Sequence, residues 1–280
     1  MKRYFPMIVA LFLSMVGIGM FFYPNVSDWY IQHHQEKIIQ NYGKKTKRLS
    51  KKVIEKEKQK IRDYNRSLLE NKTMLIDPFH TKKIGTSKKI YKKCLSFDPV
   101  IAYVEIPKIK VYLPVYHGTS EKTLEKGLGH LEGTSLPLGE KGSHCVISGH
   151  SGLPSAFFFT DLEKLERKDI FYIYVLDEVL AYQVDEIRVV NPDDISFFRI
   201  DPQEDYVTLV TCTPFGQNTH RLLVRGRRRN VDKKTWKRRK EKIKKSHLKK
   251  RWLQLLGVGL GMIMAIGVVI YLKRRLKVVH

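Results

Sequence analysis

Acidic residues are scarce in this chain of 280 residues: 28 Asp and Glu face 52 Lys and Arg, a formal net charge of +24. A surplus of that size points at first to nucleic acid. Its distribution excludes that class. Residues 98–220 carry 10 basic and 19 acidic side chains, net −9, whereas residues 1–97 are net +14 and residues 221–280 net +19. The middle is therefore an acidic globular stretch between basic flanks. The densest basic run, 231–251, holds one aromatic residue, Trp236, where stacking on bases needs several interleaved with the charges. Cysteine is scarce too. Cys94, Cys145 and Cys212 are three in number and lack CxxC spacing, which excludes a disulfide framework and leaves at least one free thiol. No histidine stands at a metal-ligand spacing from a cysteine, so neither a metal nor a cofactor is expected. Internal repeats are absent. Apolar residues are not lacking: 42% hydrophobic and 11% aromatic side chains suffice for a core.

Two long uncharged runs stand out. Residues 4–23 (YFPMIVALFLSMVGIGMFFY) follow Lys2 and Arg3 and are long enough to cross hydrocarbon as a helix. The run exceeds a signal-peptide apolar region, and FFYPNVSDWY offers no A-x-A-like cleavage site, so it reads as an uncleaved anchor. Residues 253–272 (LQLLGVGLGMIMAIGVVIYL) form a second run, bracketed by Lys249, Lys250, Arg251 and by Lys273, Arg274, Arg275. Two spans put both termini on one side, and their positive charge makes that side the cytoplasm. The run 231–251, net +10, opposes this orientation because it would lie outside; the rule is weakest for large translocated domains, and the first helix dominates.

Between the runs, 28–72 is polar with apolar residues at helical spacing (Ile31, Ile38, Ile39, Tyr42; Val53, Ile54, Ile61, Tyr64, Leu68) and predicts one or two amphipathic helices. Residues 73–93, with Asp77-Pro78-Phe79, read as a loop. From about Pro99 the pattern changes to short β runs broken by turns: IAYVEI, VYLPVY, HCVISGH, IFYIYVL, LAYQVDEIRVV, YVTLVTC and HRLLVRG. Helical patches at 121–131 and 155–165 interrupt them. So many short strands imply a barrel or a sandwich. The organisation expected is an anchor over 1–27, helices over 28–72, a loop over 73–93, a β domain over 94–230, a basic linker over 231–252, a second span over 253–272 and a basic tail over 273–280.

Chemistry gathers in YVTLVTCTPFGQNTHRLLVRG, residues 206–226. A strand ends at Cys212, Pro214, Gly216 and Asn218 are turn residues, and Arg221 opens the return strand, so a hairpin brings Arg221 near Cys212. A guanidinium beside a thiol favours the thiolate and can stabilise a developing oxyanion. The same stretch also reads as a buried cysteine with a surface arginine. A thiol nucleophile needs a proton carrier, and His150 ends an apolar strand at a loop mouth, Ser151-Gly152. Rival histidines are His220, which points to the other face of its strand, His144 at the beginning of the strand before His150, and His130 in the turn-like LGHLEG.

These residues resemble a known family. TLVTCTPFGQNTHRLLVRGRR is similar to the active-site segment of sortases, the cysteine transpeptidases of Gram-positive cell envelopes. IAYVEIPKIKVYLPVYHGTS, GLGHLEGTSLPLGEKGSHCVISGHSGLPSAFFFTDLEKL and Asp77-Pro78-Phe79 resemble the pilus-assembling class C members, over roughly residues 60–230. The resemblance implies a mostly β fold: a closed β-barrel of about eight strands with short helices, preceded by N-terminal helices and flanked by two transmembrane helices. It implies Cys212 as nucleophile, His150 as general acid/base, Arg221 as oxyanion or substrate clamp, and Asp77 with Phe79 as a lid over Arg221 and Cys212. It further implies cleavage of an LPxTG-like signal between Thr and Gly, a thioacyl intermediate and transfer to a pilin lysine. The expected partners are pilin subunits and membrane lipids, with cell-wall precursor as the acceptor if the enzyme is of the housekeeping type. The expected place is the cell membrane, with the catalytic domain outside and both termini cytoplasmic. Ser151 departs from the class, where Arg is frequent. A non-catalytic membrane-tethered binding module is the alternative of a different kind.

Overall fold

Short runs rich in β-branched and aromatic residues, broken by turns, let strands form over 100–229 that pair on both edges. In a computed structural model describing residues 5–70, 88–152 and 158–230, eight strands do so: β1 Val100–Ile106, β2 Val111–His117, β3 Leu128–His130, β4 Ser143–Ser148, β5 Ile170–Val175, β6 Glu178–Val190, β7 Asp205–Thr213 and β8 His220–Arg229. They close in the order β1-β2-β3-β4-β7-β8-β6-β5, the closed barrel expected. The pairs β2/β3 and β4/β7 are parallel, and the other neighbours are antiparallel. The chain divides into two units, Met1–Arg229 and Asn230–His280, and the barrel belongs to the first.

The strand β3 is the one the sequence does not announce. It falls in 121–131, expected to be helical, but only Glu121–Leu124 is helix (α4), with the Ser120 side chain accepting from Thr123 N at its start. Three residues are too few for periodicity to register; β3 exists because it pairs with β2 on one edge and β4 on the other. Gly129 permits this, since a Cβ there would lie 2.4 Å from the Gly118 carbonyl oxygen.

The helices before the barrel are α1 Phe5–Arg48, α2 Lys51–Glu70 and α3 Lys88–Tyr91. Helix α1 runs without a break through Pro24 and across the boundary placed at 27/28. Among the described residues no helix is long and apolar enough to cross a membrane; most side chains of 4–23, and all of 253–272, lie outside the described residues. Farther along α1, Gln35, Ile39, Tyr42 and Thr46 are buried at helical spacing. The Tyr42 hydroxyl donates to Ile101 O (3.0 Å) and accepts from Leu176 N (3.0 Å), which pins the helix across β1 and the end of β5. Helix α2 buries Glu57, Ile61, Tyr64, Asn65 and Leu68. The stretch 73–93, expected as a loop, ends in α3 because Tyr91 is buried against Tyr64, His117 and His130.

The alternation along β7 separates two hydrophobic clusters. Val207 and Leu209 face the main core with Ile147, Phe171, Ile173, Leu222 and Val224. Val210 faces a smaller cluster with Val146, Leu223, Phe197 and Phe198. The two phenylalanines come from the β6–β7 connection, whose 3₁₀ turn Ser196–Phe198 folds over this second face.

Two predictions follow from the packing. Asn65 donates to Leu136 O (3.0 Å) and accepts from Leu136 N (2.9 Å), so one side chain satisfies a buried backbone donor and acceptor. Asn65→Ala should destabilise the domain by roughly 2–4 kcal/mol in denaturant unfolding, because both groups lose their partner. Asp205, at the end of β7 away from Cys212, is buried with Ser143 Oγ at 3.0 Å and Arg228 Nε at 3.6 Å. Burial pushes its pKa from 3.8 up to about 6, against the pull of Ser143 and Arg228. A carboxyl raised in the folded state contributes stability that is fully present below the unfolded pKa and is lost as pH rises through the folded value. Unfolding free energy should thus carry a component that declines between pH 4 and 6, and Asp205→Asn should flatten it.

Candidate active site

The site begins with strand register. β4 and β7 run parallel with Ser143 opposite Asp205 and Ser148 opposite Val210. Continued by two residues, the same offset sets His150 level with Cys212. Three hydrogen bonds hold that extension in place past the end of β4: Gly149 N to Val210 O (3.0 Å), Thr211 Oγ1 to Gly149 O (2.8 Å) and Ser151 Oγ to Cys212 O (2.8 Å). On the other side Phe159 N donates to His150 O at 2.9 Å. Gly149 has no room for a side chain, since a Cβ would meet Leu128 at 2.6 Å and Phe159 at 2.9 Å.

The hairpin expected between Cys212 and Arg221 is present. β7 and β8 pair antiparallel with Cys212 directly opposite Arg221 and Thr213 opposite His220. Directly opposed Cα atoms stand about 4.5–5.5 Å apart, so the guanidinium and the sulfur share a neighbourhood. Arg221 is buried, at 6% exposure. Its Nη1 donates to Asn218 O and His220 O, both at 3.1 Å. Asn218 reaches that position with a left-handed φ of 57°, and its N–H, like that of Gln217, donates to Pro214 O. The loop thus holds the guanidinium by its own carbonyls. Pair alternation puts Thr208, Val210 and Cys212 on the same face as Leu223 and Arg221, the face that the β6–β7 connection covers. The candidate triad lies on the outer wall of the barrel, not in its interior.

Burial distinguishes the three thiols. Cys145 points into the main core at 1% exposure, and burial pushes its pKa well above the usual thiol range. Cys94 is fully buried, contacts the carbonyls of Lys60 and Ile90 at 3.5 Å, and is raised to about 11 by burial, with Glu57 adding to the rise. Cys212 alone is half-buried. The histidines divide in the same way. His130 is enclosed between Tyr91 OH (3.0 Å) and Ser135 O (2.9 Å), and burial lowers its pKa to about 4. His144 bridges Arg199 O (2.9 Å) and Thr208 Oγ1 (2.7 Å) and is likewise lowered to about 4. Both are neutral framing groups. His220 is exposed beside Thr219. His150 is half-buried; burial lowers its pKa, and Glu121 on α4 and Glu125 at its end oppose the drop. These two glutamates, like the hydroxyls of Ser151 and Thr211, are parts that sequence reasoning missed. Only the paired glycines, Gly149 and Gly152, gave a local hint of close packing around His150.

A narrow crevice of about 10 Å³ opens beside Cys212, lined by residues that include Ser151, Glu163, Cys212, Phe215 and Leu222. A larger hollow of about 270 Å³ lies against Arg188, Phe197, Tyr206 and Arg225 and shares no residue with it. Arg188 and Arg225 are already paired with Glu186 and Asp185, and the hollow holds no thiol, so the smaller crevice is the candidate site. Among the described residues no group of His, Cys, Asp and Glu is arranged to hold a metal ion. Asp77 and Phe79 lie outside the described residues.

With this geometry in place, the comparisons identify the class. Residues 104–229 match the Sortase domain, and the chain belongs to the sortase family of cysteine transpeptidases. Among solved structures it is similar to sortase C-1 from Actinomyces oris, 42% identical with a TM-score of 0.61, over 64% of this chain and 99% of that one. It is also similar to the pilus-related sortase C of Group B Streptococcus, 43% identical with a TM-score of 0.62, over 69% of this chain and 97% of that one. A more distant relative is sortase A of Streptococcus agalactiae, 26% identical over 78% of this chain and 81% of that protein.

Thiol reactivity checks the sorting of the cysteines. The native protein should react with a small alkylating reagent at one thiol, Cys212, and at all three of its cysteines once unfolded, because only the exposed thiolate attacks. Labelling of Cys145 in the native state, read by peptide mass spectrometry, would contradict this assignment.

Proposed function

We propose that the protein is a class C type transpeptidase that polymerises pilin subunits, with Cys212, His150 and Arg221 as its catalytic residues. The observation that carries this reading is the convergence, on one wall of the barrel, of the hairpin pair Cys212/Arg221 with His150 at the level set by the β4/β7 register. Identity above 40% to sortase C structures over nearly their whole length supports the pilin reading over the housekeeping one.

The reaction runs in two halves. The Cys212 thiolate attacks the carbonyl carbon between Thr and Gly of an LPxTG-like signal. The C–S bond forms, the C–N bond breaks, and the departing amine takes its proton from the His150 imidazolium. Arg221 stabilises the oxyanion in between. A lysine amine from the next pilin then attacks the thioester. The C–N bond forms, the C–S bond breaks with its pair returning to sulfur, and His150 receives the proton. Depressing the proton affinity of His150, as burial does, makes the imidazolium a better donor to the leaving amine. Asp77 and Phe79 are assigned as a lid on the resemblance of Asp77-Pro78-Phe79 alone. Membrane anchorage rests on the uncharged runs 4–23 and 253–272, the first of which continues into the part of α1 that docks on the barrel.

Cys212→Ala should abolish pilin polymer while leaving the thermal unfolding midpoint near that of the unmutated protein. His150→Ala should lower turnover by about 100- to 10,000-fold, and Arg221→Ala by roughly 100- to 1000-fold. Arg221→Lys should not restore it, because a point charge lacks the planar fork. High-molecular-weight pilin formed at the normal rate by Cys212→Ala would overturn the assignment.

A further inference from the structure

Phe215 and Glu163 border the Cys212 crevice, and the two half-reactions above use neither. At 67% exposure, Phe215 is the most exposed large apolar side chain among the described barrel residues. Leaving a phenyl ring in water beside a reactive sulfur is unfavourable unless something covers it in use. The ring cannot fold inward, because it already rests on Gly152: a Cβ at that position would lie 2.8 Å from a ring atom, and φ there is +75°. Its loop is tied by the hydrogen bonds of Gln217 and Asn218 to Pro214 O. The ring is thus held up as a wall of the crevice mouth.

Glu163 comes from the 3₁₀ turn Leu162–Lys164, seated by the buried Leu162 and Leu165. The neighbouring Lys164 is paired with Asp161 at 2.7 Å, and Glu163 is exposed with no cation paired to it among the described residues. Glu121 and Glu125 add negative potential around His150. The mouth therefore offers one apolar aromatic face and one uncompensated carboxylate, which together complement a cation on an aliphatic stem.

The geometry points to an acceptor site: the mouth of the Cys212 crevice receives a lysine side chain, its stem along Phe215 and its ammonium drawn in by Glu163. This inference rests on the transpeptidase reading and adds the residues that choose the second substrate. The crevice itself is too narrow to swallow the stem, so the stem lies across its mouth against the exposed ring, where each methylene covered is removed from water. The ammonium loses one proton to solvent before it attacks, against the pull of the Glu163 carboxylate. The neutral nitrogen then attacks the thioester carbon and passes its second proton to His150 as the Cys212 thiolate departs. A glycine amine, without a stem, gains nothing from the ring.

The test uses the full chain, one sorting-signal peptide as donor and a series of acceptors: acetyl-lysine amide, the ornithine analogue, glycinamide and hydroxylamine. Acceptor and donor KM are measured separately for the unmutated protein, Phe215→Ala, Phe215→Leu and Glu163→Gln. Phe215→Ala should raise the lysine-amide KM relative to the donor KM by about tenfold, with Phe215→Leu recovering part of the loss, and should erase the preference of lysine over ornithine. Glu163→Gln should raise the lysine-amide KM and remove its salt dependence. Equal rises in donor and acceptor KM, a fall in the hydroxylamine rate parallel to the lysine rate, or an unchanged lysine-amide KM would each overturn the acceptor site. Absence of a thioacyl mass on Cys212 of the unmutated protein would instead overturn the reaction itself.

Discussion

Everything at the site depends on the parallel pairing of β4 with β7. Each paired residue of β4 meets a residue 62 positions later, from Ser143 with Asp205 to Ser148 with Val210. That constant offset brings His150 to the level of Cys212. A slip of one residue would turn the even-numbered face of β4 inward and carry His150 away from the sulfur. The register is protected on both faces. Val207, Leu209 and Ile147 lock it from the main core, Val146 and Val210 from the smaller cluster, and Thr211 and Ser151 add hydrogen bonds beyond the strand ends.

The parts outside the barrel serve the same register at longer range. Helix α2 reaches the approach to β4 through Asn65 and Leu136. Tyr91 of α3 closes over His130, next to β4 in the sheet. His144 ties the start of β4 to Thr208 of β7 and to the β6–β7 connection at Arg199. The neutral, desolvated state of both histidines suits this work, since a charged imidazolium in either place would lack compensation.

How much could be read from residues alone depended on sequence distance. The β7–β8 hairpin was legible because its turn chemistry, Pro214 to Asn218, sits between two strand patterns a few residues apart. The level meeting of His150 and Cys212 was not, because a parallel pair spanning 62 positions leaves no local mark; a strand end at a loop mouth, and then the family resemblance, favoured His150 over His130, His144 and His220 without showing what it stands beside. β3 escaped notice for a related reason, as its three residues owe their conformation to their neighbours. The same holds for Ser151. In sequence it was a departure from the class, whereas in the structure its hydroxyl fastens the histidine loop to the backbone of Cys212.

One consequence of strand alternation concerns how such a protein can change over generations. On β7 and β8, residues of one parity (Val207, Leu209, Leu222, Val224) fill the interior, while on the other parity Val210 and Leu223 pack under Phe197 and Phe198, and Cys212 and Arg221 stand together at the strand ends. Both parities of the strand bodies are thus committed to packing. Drift among those residues can exchange one aliphatic shape for another without altering what lies at the strand ends. Diversification of the loops beyond the strand ends can change the surface presented there while the barrel stays closed. A single eight-stranded frame can in this way carry many different rims, each written in the connections rather than in the strands.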